Sequence, residues 1–243
     1  MLKVVCSTVL FTILVGVGSA SALCTNADLN GVWAIETTKP NPEAVLAQVT
    51  FDGVGNLAVS VTANSGTLQT ASGTGTYTAA KNCIVSVTIN FTGGGTANFN
   101  FVLHQAKQAV EVIATKSGMI EHGFGYTRGT LVCGFTGKKE TFVSNLSGVV
   151  PGTGATAGVG EIILDGSGHI IAGSTITWSV AGTINTAPVT GTYTENADCT
   201  GTATITPSGF PTSHYDFMIV NARRTILILQ TDSNTVVAGT MQK

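Results

Sequence analysis

One phrase occurs twice in this chain, and the recurrence limits the folds open to it more than any other feature. Residues 75–89 read GTYTAAKNCIVSVTI and residues 191–205 read GTYTENADCTGTATI, which puts Cys83 and Cys199 116 positions apart. The same offset lays FNFVLHQAK (99–107) on YDFMIVNAR (215–223), and an offset of 113 lays FDGVGNL (51–57) on LDGSGHI (164–170). The change of offset marks a short indel of the kind a loop absorbs. Two copies of a unit of roughly 110 residues are too long for a solenoid repeat and suit two small domains. The expected division is 1–22 as a leader, 23–129 as unit 1 and 130–243 as unit 2.

The leader reading rests on residues 1–22. A lysine at position 3 is followed by an apolar run over 4–17 and by Ala20 and Ala22 before Leu23. That is the pattern of a secretory signal peptide, and the run is shorter than the roughly 20 residues a spanning helix needs. Cys6 leaves with the leader, and Cys24, Cys83, Cys133 and Cys199 remain. An even number of cysteines in an exported chain reads as disulfides. Spacing alone leaves three pairings open, and the repeat selects the one within each copy, Cys24 with Cys83 and Cys133 with Cys199. Each bond closes a loop worth on the order of 4 kcal/mol in the chain-entropy picture.

Strand signals follow closely in the first copy: GVWAIETT, LAQVTFD, NLAVSVTA, TGTYTAA, CIVSVTIN, ANFNFVLH, QAVEVIAT and MIEHGFGY. Each alternates or is β-branched, with Gly, Asn, Asp and Ser between them. In CIVSVTINF, Cys83, Val85, Val87, Ile89 and Phe91 share one face; in the second copy Thr200, Thr202, Thr204 and Thr206 share the outer one. The fold expected is therefore all-β: two tandem antiparallel up-and-down β-barrels of about eight strands each. Two β-sandwiches are the alternative. GTGATAG (152–158) reads as a flexible connection before a strand at Glu161. Charged residues make up 10% of the chain and its net charge is −2, which offers no basic patch for nucleic acid. The aromatic content is too low for the girdles of an outer-membrane barrel.

LNGVWAI (29–35) places Gly31-x-Trp33 at the opening of the first strand, and in this it resembles the lipocalins and their calycin relatives. That resemblance implies a turn of helix closing the barrel base, and an Arg at the end of the last strand packed over the Trp, here Arg128 over Trp33. In the second copy the stretch aligned with it is LSGVV (146–150), without a Trp. The whole chain also resembles a group of exported bacterial proteins of unassigned function. They share an early Cys, an F-D-G-x-G-N turn and a G-T-Y-T-x-N-x-D-C-T-G-T phrase.

Chemistry is sparse. Asp52 and Asp165 head DGVGN and DGSGH, but one carboxylate per loop is too few for an EF-hand, and the glycines read as hairpin geometry. His104, His122, His169 and His214 show no ligand spacing, so no metal and no cofactor is expected. The nucleophile pattern G-x-S-x-G is missing from the sequence after the leader. Glu36, Glu111, Glu121 and Glu140 offer carboxylates that nothing in the sequence pairs as glycoside hydrolysis requires. The reading is a non-catalytic secreted, periplasmic or cell-exterior protein with no transmembrane segment after cleavage. It would bind a small apolar ligand inside a barrel lined by Trp33, Phe99, Phe101, Tyr215 and Phe217. The alternative is a structural or adhesive protein of duplicated, packed barrels with an envelope or extracellular partner.

Overall fold

The computed structural model describes residues 23–39, 42–104, 106–116, 120–129, 133–135 and 137–243. The expected leader lies outside the described residues. Two closed antiparallel barrels follow one another. The first runs β1 (Gly31–Lys39), β2 (Glu43–Phe51), β3 (Asn56–Asn64), β4 (Leu68–Ala79), β5 (Ile84–Phe91), β6 (Thr96–His104), β7 (Ala109–Ala114) and β8 (His122–Thr127), with β8 paired back to β1. Each of the eight segments read from the first copy contains a strand; in MIEHGFGY, β8 begins at His122 and Met119 lies outside the described residues.

The second barrel consists of β9 (Glu140–Val150), β10 (Gly154–Leu164), the short β11 (His169–Ile170), β12 (Thr175–Val180), β13 (Thr183–Glu195), β14 (Thr200–Pro207), β15 (Ser213–Val220), β16 (Thr225–Gln230) and β17 (Val236–Gln242). β9 pairs with both β10 and β17, so this barrel is closed as well. Its β11 and β12 together replace β3. Leu57 faces Gly75 as Ile170 faces Gly191, but Ser60 faces Ser72 where Thr175 faces Pro188. Two extra residues therefore bulge out before Thr175, and Ser174 fills the gap by accepting the Ile163 amide at 2.9 Å.

Two expectations need correction. GTGATAG is not a flexible connection, because β10 begins at Gly154. Gly158 and Gly160 sit on its inner wall, where a Cβ at Gly160 would run into the Thr175 carbonyl oxygen. Second, the pairing register moves the counterpart of Trp33. Trp33 faces Val49 on β2 and Phe142 faces Ile162 on β10, so Phe142 rather than LSGVV answers GVW.

Both cysteine pairs are within their copies, Cys24–Cys83 and Cys133–Cys199. Cys83 and Cys199 are the last residues of their turns, with φ of 66° and 64°, and β5 and β14 start one residue later. A hairpin turn of this kind ordinarily puts Gly at the left-handed position. Here a side chain is required, because it carries the bond to the segment that closes the barrel base.

The barrels lie side against side. Residues on the outer faces of β1 and β2 (Ala34, Ala44, Leu46) pack with Met218, Val220, Leu227, Leu229, Val236 and Ala238 from β15, β16 and β17. This explains the unbroken run TILIL in β16: Ile226 and Ile228 fill its own barrel, while Leu227 and Leu229 fill the seam. Burying each such side chain stabilises by about 1.5–3 kcal/mol. A polar clasp adds to the strip. Asn64 Nδ2 donates to the Gln230 carbonyl at 2.7 Å, and the Asn234 amide donates to the Gly66 carbonyl at 2.9 Å.

Glu36 also points outward from β1 into this seam, between Leu46 on β2 and Phe124 on β8. It is 5% exposed and its Oε2 has no hydrogen-bond partner. Desolvation pushes its carboxyl up to about 8 from an ordinary 4.5. The folded protein thus holds a proton that the unfolded chain releases between those two values. Stability is full below 4.5, falls as pH rises, and levels off above about 8. Glu36→Gln is expected to remove this dependence. In thermal melts the variant should match the wild type near about pH 5 and exceed it by on the order of a few kcal/mol near about pH 9.

Candidate functional site

The interior of the first barrel is divided by side-chain size. Toward the closed end the inward positions carry Trp33, Phe51, Tyr77 and Phe101. Phe51 stands edge-on to the other three, with ring centroids 6.5, 4.8 and 6.3 Å away. Below them a 3-10 turn, Asn26–Leu29, buries Leu29, whose carbonyl accepts the Trp33 indole N–H at 2.8 Å. Toward the other end the inward positions shrink to Val61, Ala63, Ala71 and Ala97. Short side chains cannot fill an eight-stranded barrel, and a cavity of about 480 Å³ remains.

Its wall is mostly apolar: Ile35, Val45, Ala47, Val49, Val59, Ile89, Phe91, Phe99 and Phe101 add to the small residues. Polar groups gather on one side of the mouth. The Thr37 hydroxyl donates to Glu121 Oε1 at 2.6 Å, and Lys39 Nζ lies 2.7 Å from Glu43 and 3.6 Å from Glu121 Oε2. Glu121 itself is buried. Lys39 and Lys116 balance Glu43 and Glu121, so the mouth carries no formal net charge.

The second barrel has a cavity of about 400 Å³ at its corresponding end. Trp178 lines it, and Phe210 stands edge-on to Trp178 at 4.7 Å. Deeper in, only a void of about 30 Å³ remains among Phe135, Tyr193, Phe217 and their neighbours. Gln69 and Thr70 at the mouth of cavity 1 follow the Asn64–Gly66 turn, and that turn clasps the loop running from Gln230 to Thr235 at the mouth of cavity 2. Both cavities therefore open on the same side of the molecule.

The aromatic residues expected to form a site are in different places. Phe99 and Phe101 line the first cavity and Tyr215 the second, where burial pushes the Tyr215 phenol up to about 12. Phe217 borders the small void and Trp33 lies in the floor, so neither lines an open cavity. The Arg128 guanidinium donates to Gln48 Oε1 at 3.0 Å. Among the described residues, the cation held over an aromatic ring is Lys243, 5.4 Å from the Phe142 centroid. The expected contact of Arg128 over Trp33 is not among the cation–ring contacts of the described residues; a different one, Lys243 over Phe142, occurs in the second barrel at the counterpart of Trp33. Of the candidate carboxylates Glu121 reaches the cavity; Thr37 and Lys39 were not among the candidates, although alternation from Trp33 through Ile35 points both inward.

The other candidates have structural surroundings. Asp52 Oδ1 accepts the amides of Val54, Gly55 and Asn56 at 2.8–2.9 Å, and these bonds outweigh partial desolvation to lower its carboxyl to about 2. Asp165 is likewise lowered by Ser167 and His169, so both loops use their carboxylate to fold themselves. Glu36 faces the seam, Glu111 the outer wall, Glu121 the cavity, and Glu140 pairs with Lys243 at 2.7 Å. His169 and His214 bond Asp165 and Asp232 on the surface, and no group of three metal-ligating side chains converges among the described residues.

Comparison with protein-family models, with curated proteins and with solved structures finds no match. No helix of the described residues is long and apolar enough to cross a membrane.

Because Trp33 is floor and not lining, Trp33→Phe should separate stability from occupancy. It removes the bond to Leu29 and part of the packing, and is expected to cost about 1–3 kcal/mol in a denaturant melt. Uptake of an apolar dye by the folded variant should stay within a factor of two of the wild type.

Proposed function

We infer that this chain is a non-catalytic, exported carrier of a small, neutral and largely apolar molecule, held in the first barrel. The observation that carries the reading is the cavity of about 480 Å³, whose volume falls within the usual range of ligand pockets. Its apolar wall favours a hydrocarbon body. The balanced charges at the mouth favour a ligand without net charge, and Thr37, Lys39 and Glu121 offer donors and acceptors to a hydroxyl or carbonyl at one end. The two disulfides suit an oxidising compartment, in line with export. The scattered carboxylates favour binding over catalysis.

Ala71 lies on the cavity wall, and Ala71→Phe would occupy part of the volume. Titration with a fluorescent apolar dye should show saturable binding to the wild type, displaced by long-chain alcohols. The filled variant should bind at least about tenfold more weakly, since one lost aliphatic contact set of this size is worth about 1.4 kcal/mol or more. A wild type that takes up no dye, or a filled variant that binds equally well, would overturn the assignment.

A further inference from the structure

The seam between the barrels is asymmetric, and duplication leaves one unused copy of each of its halves. Barrel 1 contributes the outer face of β1–β2; barrel 2 contributes the outer face of β15–β17. The pairing registers identify the counterparts. Phe101 faces Val112 as Phe217 faces Ile228, so Val102 answers Met218, Glu111 answers Leu227 and Ile113 answers Leu229. Glu36 faces Leu46 as Asn145 faces Val159, so Val143 answers Ala34 and Val159 answers Leu46.

The seam residues are covered: Met218 is 8% exposed, and Ala34, Leu227 and Leu229 are 0%. Their counterparts are open. Val102 is 45% and Ile113 56% exposed on barrel 1; Val143 is 62% and Val159 55% exposed on barrel 2. These four are among the most exposed large apolar side chains of the described residues, and they stand where the internal seam has its own contacts. Ile120, 71% exposed, extends the barrel 1 patch at the place of Val236.

The polar groups are also arranged compatibly. At the internal seam the carboxylate, Glu36, comes from the β1 side and lies by apolar neighbours. On the free faces Glu111 comes from the β7 side, 3.5 Å from His104; on the β9–β10 face neutral Asn145 takes the place of Glu36, and exposed Glu161 stands opposite Val143. The amide at the place of Glu36 offers Glu111 a donor. In an eight-stranded barrel β9–β10 lies more than roughly a quarter turn from β16. Because β9 pairs with the seam strand β17 and its Ser147–Val149 segment borders the β1–β2 turn of barrel 1, the second copy would be seated toward β10, on Val143 and Val159.

We propose that the β9–β10 face of one copy docks on the β6–β7 face of a second copy, repeating the internal seam between molecules. The contact is heterologous, so it either closes into a ring or continues as a filament.

The test uses the chain purified as its host produces it. Sedimentation equilibrium up to about 0.2 mM, a range suited to an interface of modest size, should show mass rising to at least twice the monomer. Val159→Lys and Ile113→Lys each block a different half, so each alone should stay monomeric with an unchanged melting temperature. Mixed, they should form a 1:1 complex, because each retains the half that the other has lost. A wild type that stays monomeric, single variants that still associate, or a mixture that fails to form the complex would overturn the proposal.

Discussion

Pairing of β1 with β8, and of β9 with β17, leaves neither sheet with a free edge. In a chain with 10% charged residues this closure has particular weight, because edge strands are otherwise protected mainly by charge. Closure also fixes the interior volume through the number of strands. After that, only the size of the inward side chains decides whether a barrel is packed or hollow. The closed end of barrel 1 is filled by Trp33, Phe51, Tyr77 and Phe101, while Val61, Ala63, Ala71 and Ala97 leave the other end open. One backbone plan thus provides a stable base and an accessible cavity, with the disulfide placed at the base.

Much of this plan was legible. Alternation picked out all eight strands of the first unit, because each has one face in the core and one in solvent. The repeat chose the cysteine pairing that spacing alone left open. The Asp loops were legible as turns, though not the reason for their Asp: the carboxylate of Asp52 collects three backbone amides that the tight loop leaves without partners.

The failures have specific causes. Glycines in 152–158 suggested a linker by composition, yet Gly158 and Gly160 are strand residues on a crowded inner wall. A matching string placed LSGVV against GVW, whereas hydrogen-bond register places Phe142 there. Large aromatics were the residues expected to line a cavity, and Phe99, Phe101 and Tyr215 do, but the space itself is left by small residues, and those at 61, 63, 71 and 97 draw no attention until their faces are assigned. The seam was not readable as a seam. TILIL shows that both faces of β16 are covered, but a sequence carries no sign of what covers the second.

That second covering falls on unlike faces of the two copies. A duplicated unit starts with equal halves, and a side-by-side seam treats them unequally. The β15–β17 face carries Met218, Leu227 and Leu229, while β6–β7 has Glu111 among its apolar residues. On the other side β1 carries Glu36, whose carboxyl desolvation pushes up to about 8 and whose Oε2 has no hydrogen-bond partner. A buried unpartnered acid opposes the apolar strip around it. The Asn64 clasp, by contrast, satisfies its amide fully and does not titrate over any ordinary pH. The interface therefore consists of two unlike parts, an apolar strip that holds Glu36 and a hydrogen-bonded clasp at Asn64. The clasp lies beside the cavity mouths, so its hydrogen bonds hold the two openings on one side of the molecule.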